Sequence, residues 1–353
     1  MGKRVAVVGA TGNVGTSVLD ALGREPEVEE IVGVARRRPE LEAPKARWVE
    51  ADVTGNVDEL AQVFRGADAV VHLAWAIQPS RDEATLGRIN VEGSERVFEA
   101  AARAGAKALV YASSVGAYGP GPKDRAVDES WPTTGIPTSF YSRHKASVEA
   151  LLDGFEARHP EMRVVRLRPA LIFKGEAASE IRRLFVGPFL PSALVRPGLI
   201  PVVPRIAGLR FQAVHSLDVG EAYRQAVVRD VRGAFNLAAE PVLDPERLSE
   251  ALGARPLDVA PRVARALVDW SWKLRLQPSP PGWLDMALRV PLMDSGRARE
   301  ELGWQPRVDA VEALLELLEG LRRSEGMETP PLARETGGPA RLGELRSGVG
   351  ARQ

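Results

Sequence analysis

The stretch Val5-Ala6-Val7-Val8-Gly9-Ala10-Thr11-Gly12-Asn13-Val14-Gly15 decides how the rest of the chain is read. An apolar run that breaks into glycines at 9, 12 and 15 and continues in helix-compatible sequence predicts a buried strand turning sharply into a helix. Glycine allows the tight turn and a close approach of backbone to a pyrophosphate, and the free N–H groups at the helix start favour an anion. The spacing is G-x-x-G-x-x-G, one residue off the usual G-x-G-x-x-G dinucleotide fingerprint. A glycine-rich turn without a ligand would give the same letters; the strand before and the helix after favour a nucleotide. Gly9, Thr11, Gly12, Asn13, Val14 and Gly15 are therefore expected to hold a dinucleotide diphosphate.

Outward from this loop, short apolar runs at 4–8, 30–34, 47–50, 69–73, 108–112 and 163–167 alternate with helical patterns near 13–22, 57–65, 83–104 and 140–158. That rhythm predicts an α/β fold with a doubly wound parallel sheet, because parallel crossovers are normally helical. Near 83–104, Leu86, Ile89, Val97, Ala101 and Ala104 recur at helical spacing as one buried stripe. After Pro169 the rhythm breaks. Residues 1–168 and 208–232 are assigned to a dinucleotide-binding domain, and 169–207 with 233–324 to a smaller, discontinuous substrate-binding domain. In that second part, 233–238 reads as a further strand, and Val263, Leu267, Trp270 and Leu274 line one face of a helix. From about Glu325 the sequence is Gly, Pro, Arg and Glu with little periodicity, which predicts a disordered tail over 325–353.

Composition narrows the function. Among 353 residues, 47 Lys+Arg balance 47 Asp+Glu, a formal net charge of zero, so no basic field invites nucleic acid or anionic lipid. A small-molecule partner is expected instead. The chain has no cysteine, which removes disulfides, thiolate metal sites and cysteine nucleophiles and fits a reducing cytoplasm. His72, His144, His159 and His215 are too scattered for a metal motif, and no metal is expected. Met1-Gly2-Lys3-Arg4 leads straight into the first strand without a signal-peptide pattern. The greasiest region, 184–203, is cut by Pro188, Pro191, Pro197 and Pro201, so no membrane helix is predicted; being almost uncharged, it reads as a cover over something apolar.

The chemistry-bearing residues cluster at the ends of predicted strands. After the second strand, Ala35-Arg36-Arg37-Arg38 lacks the acid that holds the ribose hydroxyls of NAD. Arg36 and Arg37 suit a 2′-phosphate, so NADP is preferred over NAD; a solvated basic turn is the plainer alternative. Asp52-Val53 follows the third strand, where a carboxylate can accept from an adenine amino group or simply cap the local turn. Tyr141 and Lys145, at i and i+4, share one helix face with Val148, Leu152 and Phe155. A neighbouring ammonium lowers the pKa of a phenol and makes it a better acid–base group. Ala112-Ser113-Ser114 ends the fifth strand at the same sheet edge, where a hydroxyl can hold a substrate oxygen.

Together these segments resemble the extended branch of the short-chain dehydrogenase/reductase superfamily, the NAD-dependent epimerase/dehydratase family, over about residues 3–320. The resemblance implies a Rossmann-type fold, with Ser114, Tyr141 and Lys145 as substrate-orienting hydroxyl, acid/base and tyrosine-tuning lysine. It also implies that Leu73-Ala74-Trp75, Ala112, Ser113 and Pro169-Ala170-Leu171 line the cofactor, that Asn90 supports the site, and that Tyr141 and Lys145 touch the cofactor as well. His215 and Asp218 match landmarks expected to be structural. A homodimer through helices near 83–104 and 140–158 is implied in the same way. Two departures matter: Arg168-Pro169-Ala170-Leu171 lacks the asparagine that follows the sixth strand in nucleotide-sugar enzymes, and Ser114-Val115-Gly116 lacks the Asp-Glu pair of dehydratases. The reading is an NAD(P)-dependent oxidoreductase acting on an alcohol or carbonyl. A sugar or nucleotide-sugar epimerase with tightly held NAD, and a non-catalytic dinucleotide-binding regulator, are the alternatives.

Overall fold

The computed structural model describes residues 2–186 and 198–334. Its centre is a seven-stranded sheet in which every pairing is parallel. From one edge the order is Gly233–Leu237, Arg163–Pro169, β5 (Ala108–Ala112), β4 (Ala69–His72), β1 (Lys3–Val8), β2 (Val28–Ala35) and β3 (Ala46–Glu50). The chain runs outward from β1 in both directions, so strand order reverses beside it. In open parallel sheets, ligands bind in the crevice beyond the strand C-termini at such a reversal.

The apolar run of β1 is buried on both sides, and its alternation splits two core layers. Val5 and Val7 point to one layer with Val71, Val110, Val165 and Leu167. Ala6 and Val8 point to the other with Val70, Leu109, Tyr111 and Val164. The first layer is closed by α1 (Asn13–Gly23) and the helix Ser216–Val228, through Val18, Leu19, Leu22, Val219, Ala222 and Tyr223. The second is closed by α2 (Val57–Phe64), the helix Gly93–Arg103 and the helix Phe140–Arg158, through Leu60, Phe64, Val97, Phe98, Val148, Leu152 and Phe155. His215 and Asp218 are structural, as expected. The His215 ring accepts from Leu217 N–H at the start of its helix, and Asp218 accepts from the backbone N–H groups of Arg307 and Val308. No described helix is long and apolar enough to cross a membrane.

Two expectations change, and one helical face whose direction the sequence left open turns outward. Gly233–Leu237, assigned to the substrate part, is the edge strand of the main sheet, because its Phe235 and Leu237 complete the first core layer. The tail is folded as far as residue 334: Thr329 and Leu332 are buried, although the local sequence shows no periodicity. A short turn needs none when the surface it covers is built by others. The helix Pro261–Lys273 forms, but Val263, Leu267, Trp270 and Leu274 point into solvent rather than into a core. Most of the apolar stretch 184–203, and residues 335–353 of the tail, lie outside the described residues.

Gly15 shows why the loop must be written as it is. A Cβ there would sit 2.4 Å from the Gly9 carbonyl oxygen and 2.7 Å from that of Ala10. Alanine in a helix ordinarily gains about 1 kcal/mol over glycine. Gly15→Ala is expected to reverse that sign and destabilise by about 1–3 kcal/mol, as overpacking against backbone does. Urea unfolding of the two proteins reads the difference directly, and a variant as stable as the parent would contradict it.

Candidate active site

The glycine loop opens into a cavity at the strand reversal. Of the residues expected at a cofactor, Gly9, Thr11, Gly12, Arg36, Arg37, Asp52, Val53, Leu73, Ala74 and Trp75 line it. Gly9 has φ +84, and a Cβ there would lie 2.6 Å from the Ala74 backbone nitrogen, so the turn presses on the end of β4. At Gly12 a Cβ would meet only the Gly9 carbonyl oxygen, at 3.7 Å. Glycine is thus not forced by the protein at Gly12, which faces the cavity and leaves room for a ligand. The first turn of α1 holds no acidic residue of its own. Instead Glu180, from a short helix downstream, accepts from the backbone N–H of Asn13, while the Asn13 Oδ1 is buried without a partner. A carboxyl thus sits at the start of α1, where the free N–H groups of the first turn favour an anion. Burial pushes this carboxyl up to about 7, against the charge of Arg183.

Arg36 and Arg37 stand exposed on the cavity wall without an ion pair among the described residues. Asp52 lines the cavity too, yet its Oδ1 accepts from Thr54 N–H at 2.9 Å and Thr54 Oγ1 at 2.8 Å. It therefore caps the turn and still borders the cavity. Asn90 is fully buried in a π-helical turn, Arg88–Glu92. It holds the Ala76 backbone on both sides, accepting from N–H at 2.7 Å and donating to C=O at 2.8 Å. Asn90 thus shapes the cavity wall without lining it. Val14 and Gly15 lie in the first turn of α1, outside the wall. Pro169, Ala170 and Leu171 do not line this cavity. Ala170 is buried against Tyr118, Ala238 and Met293, and Leu171 is 39% exposed.

Beside the cavity the structure brings Ser114, Tyr141 and Lys145 together. Ser139 caps the helix Phe140–Arg158. Ser142 then ties that helix to the Ser114 turn, donating to the Gly116 carbonyl and accepting from Ile136 N–H at 2.6 Å. Tyr141 ends up facing the Ser114 hydroxyl, close enough for a side-chain hydrogen bond between the two. Burial pushes that phenol up to about 12, and the Ser114 hydrogen bond offsets this only in part. Lys145 is buried, donates to the Ala112 carbonyl at 2.6 Å, and lies 3.5 Å from the centre of the Trp75 ring. Its ammonium is 5.9 Å from the centre of the Tyr141 ring. The expected lowering of the tyrosine pKa by this lysine is not seen: burial raises the phenol, and burial also pushes the Lys145 amine well below the ordinary lysine value. Trp75 spans the two halves of the site, since it lines the cavity and its ring lies 5.9 Å from that of Tyr141.

Other partners were missed from sequence. Glu149, two turns beyond Tyr141, is fully buried between Arg166 and Arg168 of the strand Arg163–Pro169, and also accepts from Ser113 Oγ. Two arginines spaced i, i+2 in a central strand were the available signal, because that spacing puts both on one buried face. Arg183, Pro330 and Pro331 line the cavity opposite the glycine loop, and the Thr329 hydroxyl donates to the Thr11 carbonyl at 2.9 Å. Nothing in the local sequence marked them. Trp283 packs on Tyr141 at 4.8 Å and on Phe185 at 4.9 Å, so the far wall beside the phenol is aromatic.

Residues 5–182 match the NAD dependent epimerase/dehydratase family. The chain belongs to that family. It is 31% identical over 189 residues to the L-arabinose 1-dehydrogenase (NAD(P)(+)) of Haloferax volcanii, covering 50% of this chain and 70% of that one. It is 27% identical over 328 residues to an uncharacterized protein of Mycobacterium tuberculosis, covering 92% of this chain but only 31% of the relative. The chain thus spans about a third of that relative's length. Among solved structures, the UDP-glucose 4-epimerase of Thermotoga maritima with UDP-glucose superposes with TM-score 0.68 at 21% identity, covering 91% of this chain and 99% of that one. At that identity the likeness is one of fold.

Glu149 carries the stability of the site. Burial alone would raise its carboxyl, but hydrogen bonds and charge from Arg168, joined by Ser113 and Arg166, bring it below the ordinary value of 4.5. A carboxyl lowered in the folded state contributes stability above its unfolded value and loses it as pH falls through the folded one. Glu149→Gln leaves two buried arginines uncompensated and is expected to cost about 3–5 kcal/mol. Denaturant melts from pH 7 downward should show the variant less stable at neutral pH, with the gap to the parent narrowing in acid. A constant gap would refute the assignment.

Proposed function

We propose that this chain is an NAD(P)-dependent oxidoreductase that interconverts an alcohol and a carbonyl on a fairly apolar small molecule, with NADP preferred over NAD. The observation that carries the reading is the Ser114 hydroxyl facing the Tyr141 phenol across from the aromatic wall of Trp283, with Trp75 joining that corner to the glycine-loop cavity. Family membership and the dehydrogenase relative support it. The open face at Gly12, the anion-accepting start of α1 and the unpaired Arg36 and Arg37 fit a phosphorylated dinucleotide.

When bound, the nicotinamide group supplies or takes up hydride. The rest of the work falls to the chain. Ser114 holds the substrate oxygen by a hydrogen bond. Tyr141, protonated at neutral pH and held further from ionising by burial, delivers a proton to that oxygen in the reducing direction. In the oxidising direction it must first lose its own proton, so that direction is favoured as pH rises. Lys145 is pinned on the Ala112 carbonyl beside the phenol; burial pushes its amine well below the ordinary lysine value, and in its protonated form it stabilises the phenolate. The apolar wall of Trp283, Met286 and Val290 excludes water from the corner.

Tyr141→Phe is expected to lower turnover by about 10³-fold or more while dinucleotide affinity changes little, since the phenyl ring keeps its packing. Unchanged turnover with ketone or alcohol substrates would sink the mechanism. Mass spectrometry of the purified chain separates this reading from an epimerase, which keeps its nicotinamide cofactor through turnover; a stoichiometric retained dinucleotide would favour the epimerase.

Glu180 adds a pH dependence to cofactor binding. Its carboxyl titrates at about 7 beside the proposed diphosphate seat, so it is increasingly anionic above that value. NAD+ affinity, with a diphosphate charged throughout the range, should fall by up to about tenfold per unit as pH rises above neutrality. Calorimetric titration of Glu180→Gln should lose most of that slope and show tighter binding at pH 8. Equal slopes in the two proteins would exclude the role.

A further inference from the structure

The helix Pro261–Lys273 wears its apolar stripe on the outside. Val263, Leu267, Trp270 and Leu274 fall at i, i+4, i+7 and i+11 and are 52, 62, 68 and 52% exposed; Leu276 follows at 48%. The opposite side, with Ala264, Val268 and Trp272, is the one turned toward the protein. Scattered exposed apolar residues need no explanation, but a continuous row along one helix does.

The charges around the stripe say what it meets. Arg262 lies near one end, and Lys273 and Arg275 at the other. Asp269 is taken up by Lys273 at 2.6 Å, and Arg265 by Asp285 at 2.9 Å. Arg262 and Arg275 have no ion-pair partner among the described residues. Arg81 stacks on Trp272 at 4.3 Å and donates to its carbonyl, close enough to Arg275 that the two charges oppose each other. Arg262 and Arg275, without an ion pair among the described residues at the two ends of a row of Leu and Trp, are complementary to an interface with apolar depth and anionic phosphates. A helix with Trp and Leu on one face and cations at its margin lies in the plane of a lipid headgroup layer. Self-association is disfavoured by the same charges, since two copies would meet with arginines on both rims.

We propose that this face seats the protein on an anionic membrane surface, with Leu267 and Trp270 in the acyl boundary and Arg262 and Arg275 at the phosphates. The contact is peripheral, and the zero net charge does not oppose it, because headgroups sense local charge within about 8–10 Å. The seat adjoins the candidate site. The neighbouring helix Gly282–Arg289 packs on this one and carries Trp283, which touches Tyr141. The inference stands on this surface and does not depend on the oxidoreductase reading.

The test is co-sedimentation of the full chain with vesicles of phosphatidylcholine, with and without phosphatidylglycerol. The parent should pellet with the anionic vesicles and be released as salt is raised. The Leu267→Glu, Trp270→Glu double variant should lose binding by about tenfold or more. Its thermal melting should match the parent's, since both side chains stand in solvent. Arg262→Glu with Arg275→Glu should weaken binding to the anionic vesicles selectively. Failure of the parent to pellet with phosphatidylglycerol would overturn the proposal, as would unaltered binding of the Leu267/Trp270 variant. A parent that sediments in the ultracentrifuge as a dimer, made monomeric by that variant, would assign the face to a second copy and equally overturn it.

Discussion

Glu149 has no exposed surface, and every strong partner it has comes from another element: Arg166 and Arg168 from the strand below and Ser113 from the end of β5. A carboxylate sealed off this way is tolerable only when its charge is met and its lone pairs are filled. Meeting that condition fixes the helix Phe140–Arg158 against two neighbouring strands. Tyr141 and Lys145 ride on that helix, and Ser114 follows the serine that the carboxylate grips. Arg168 carries the network on, donating to the Tyr118 hydroxyl at 2.9 Å, which donates to Asn236 on the edge strand at 2.7 Å. The geometry of the reacting corner is thus set by electrostatics beneath it, and the corner itself is left open.

The sheet and the glycine loop were legible because they depend on local pattern. Val5 to Val8 can only be a strand buried on both faces, and Gly9 and Gly15 are demanded by backbone contacts a few residues away. The meeting of Ser114, Tyr141 and Lys145 was legible too, since strand ends and an i, i+4 pair converge once the sheet is parallel. What failed depended on surfaces that the local sequence does not name. The stripe Val263, Leu267, Trp270 and Leu274 has the periodicity of a core face, and periodicity reports a face without saying which way it turns. Glu180 reads as one more surface acid, yet it reaches the start of α1 from a turn more than 160 residues away in sequence.

Two parts of the candidate site carry opposite demands. The corner around Tyr141 is apolar and aromatic, which keeps the phenol protonated and suits a substrate with little charge. The glycine-loop cavity instead mixes apolar walls with the cations Arg36, Arg37 and Arg183. Trp75 stands at the junction, with one side on the Lys145 ammonium and its edge toward Tyr141. A single indole thus stands between the cavity that carries the arginines and the corner that carries none.

The hydrogen bond from Thr329 to the Thr11 carbonyl joins positions 318 residues apart. The segment around Thr329 thus holds the glycine loop across a sequence distance that no local pattern spans. Cutting the chain before it would remove this contact and the Pro330 and Pro331 wall of the cavity while leaving every strand of the main sheet in place.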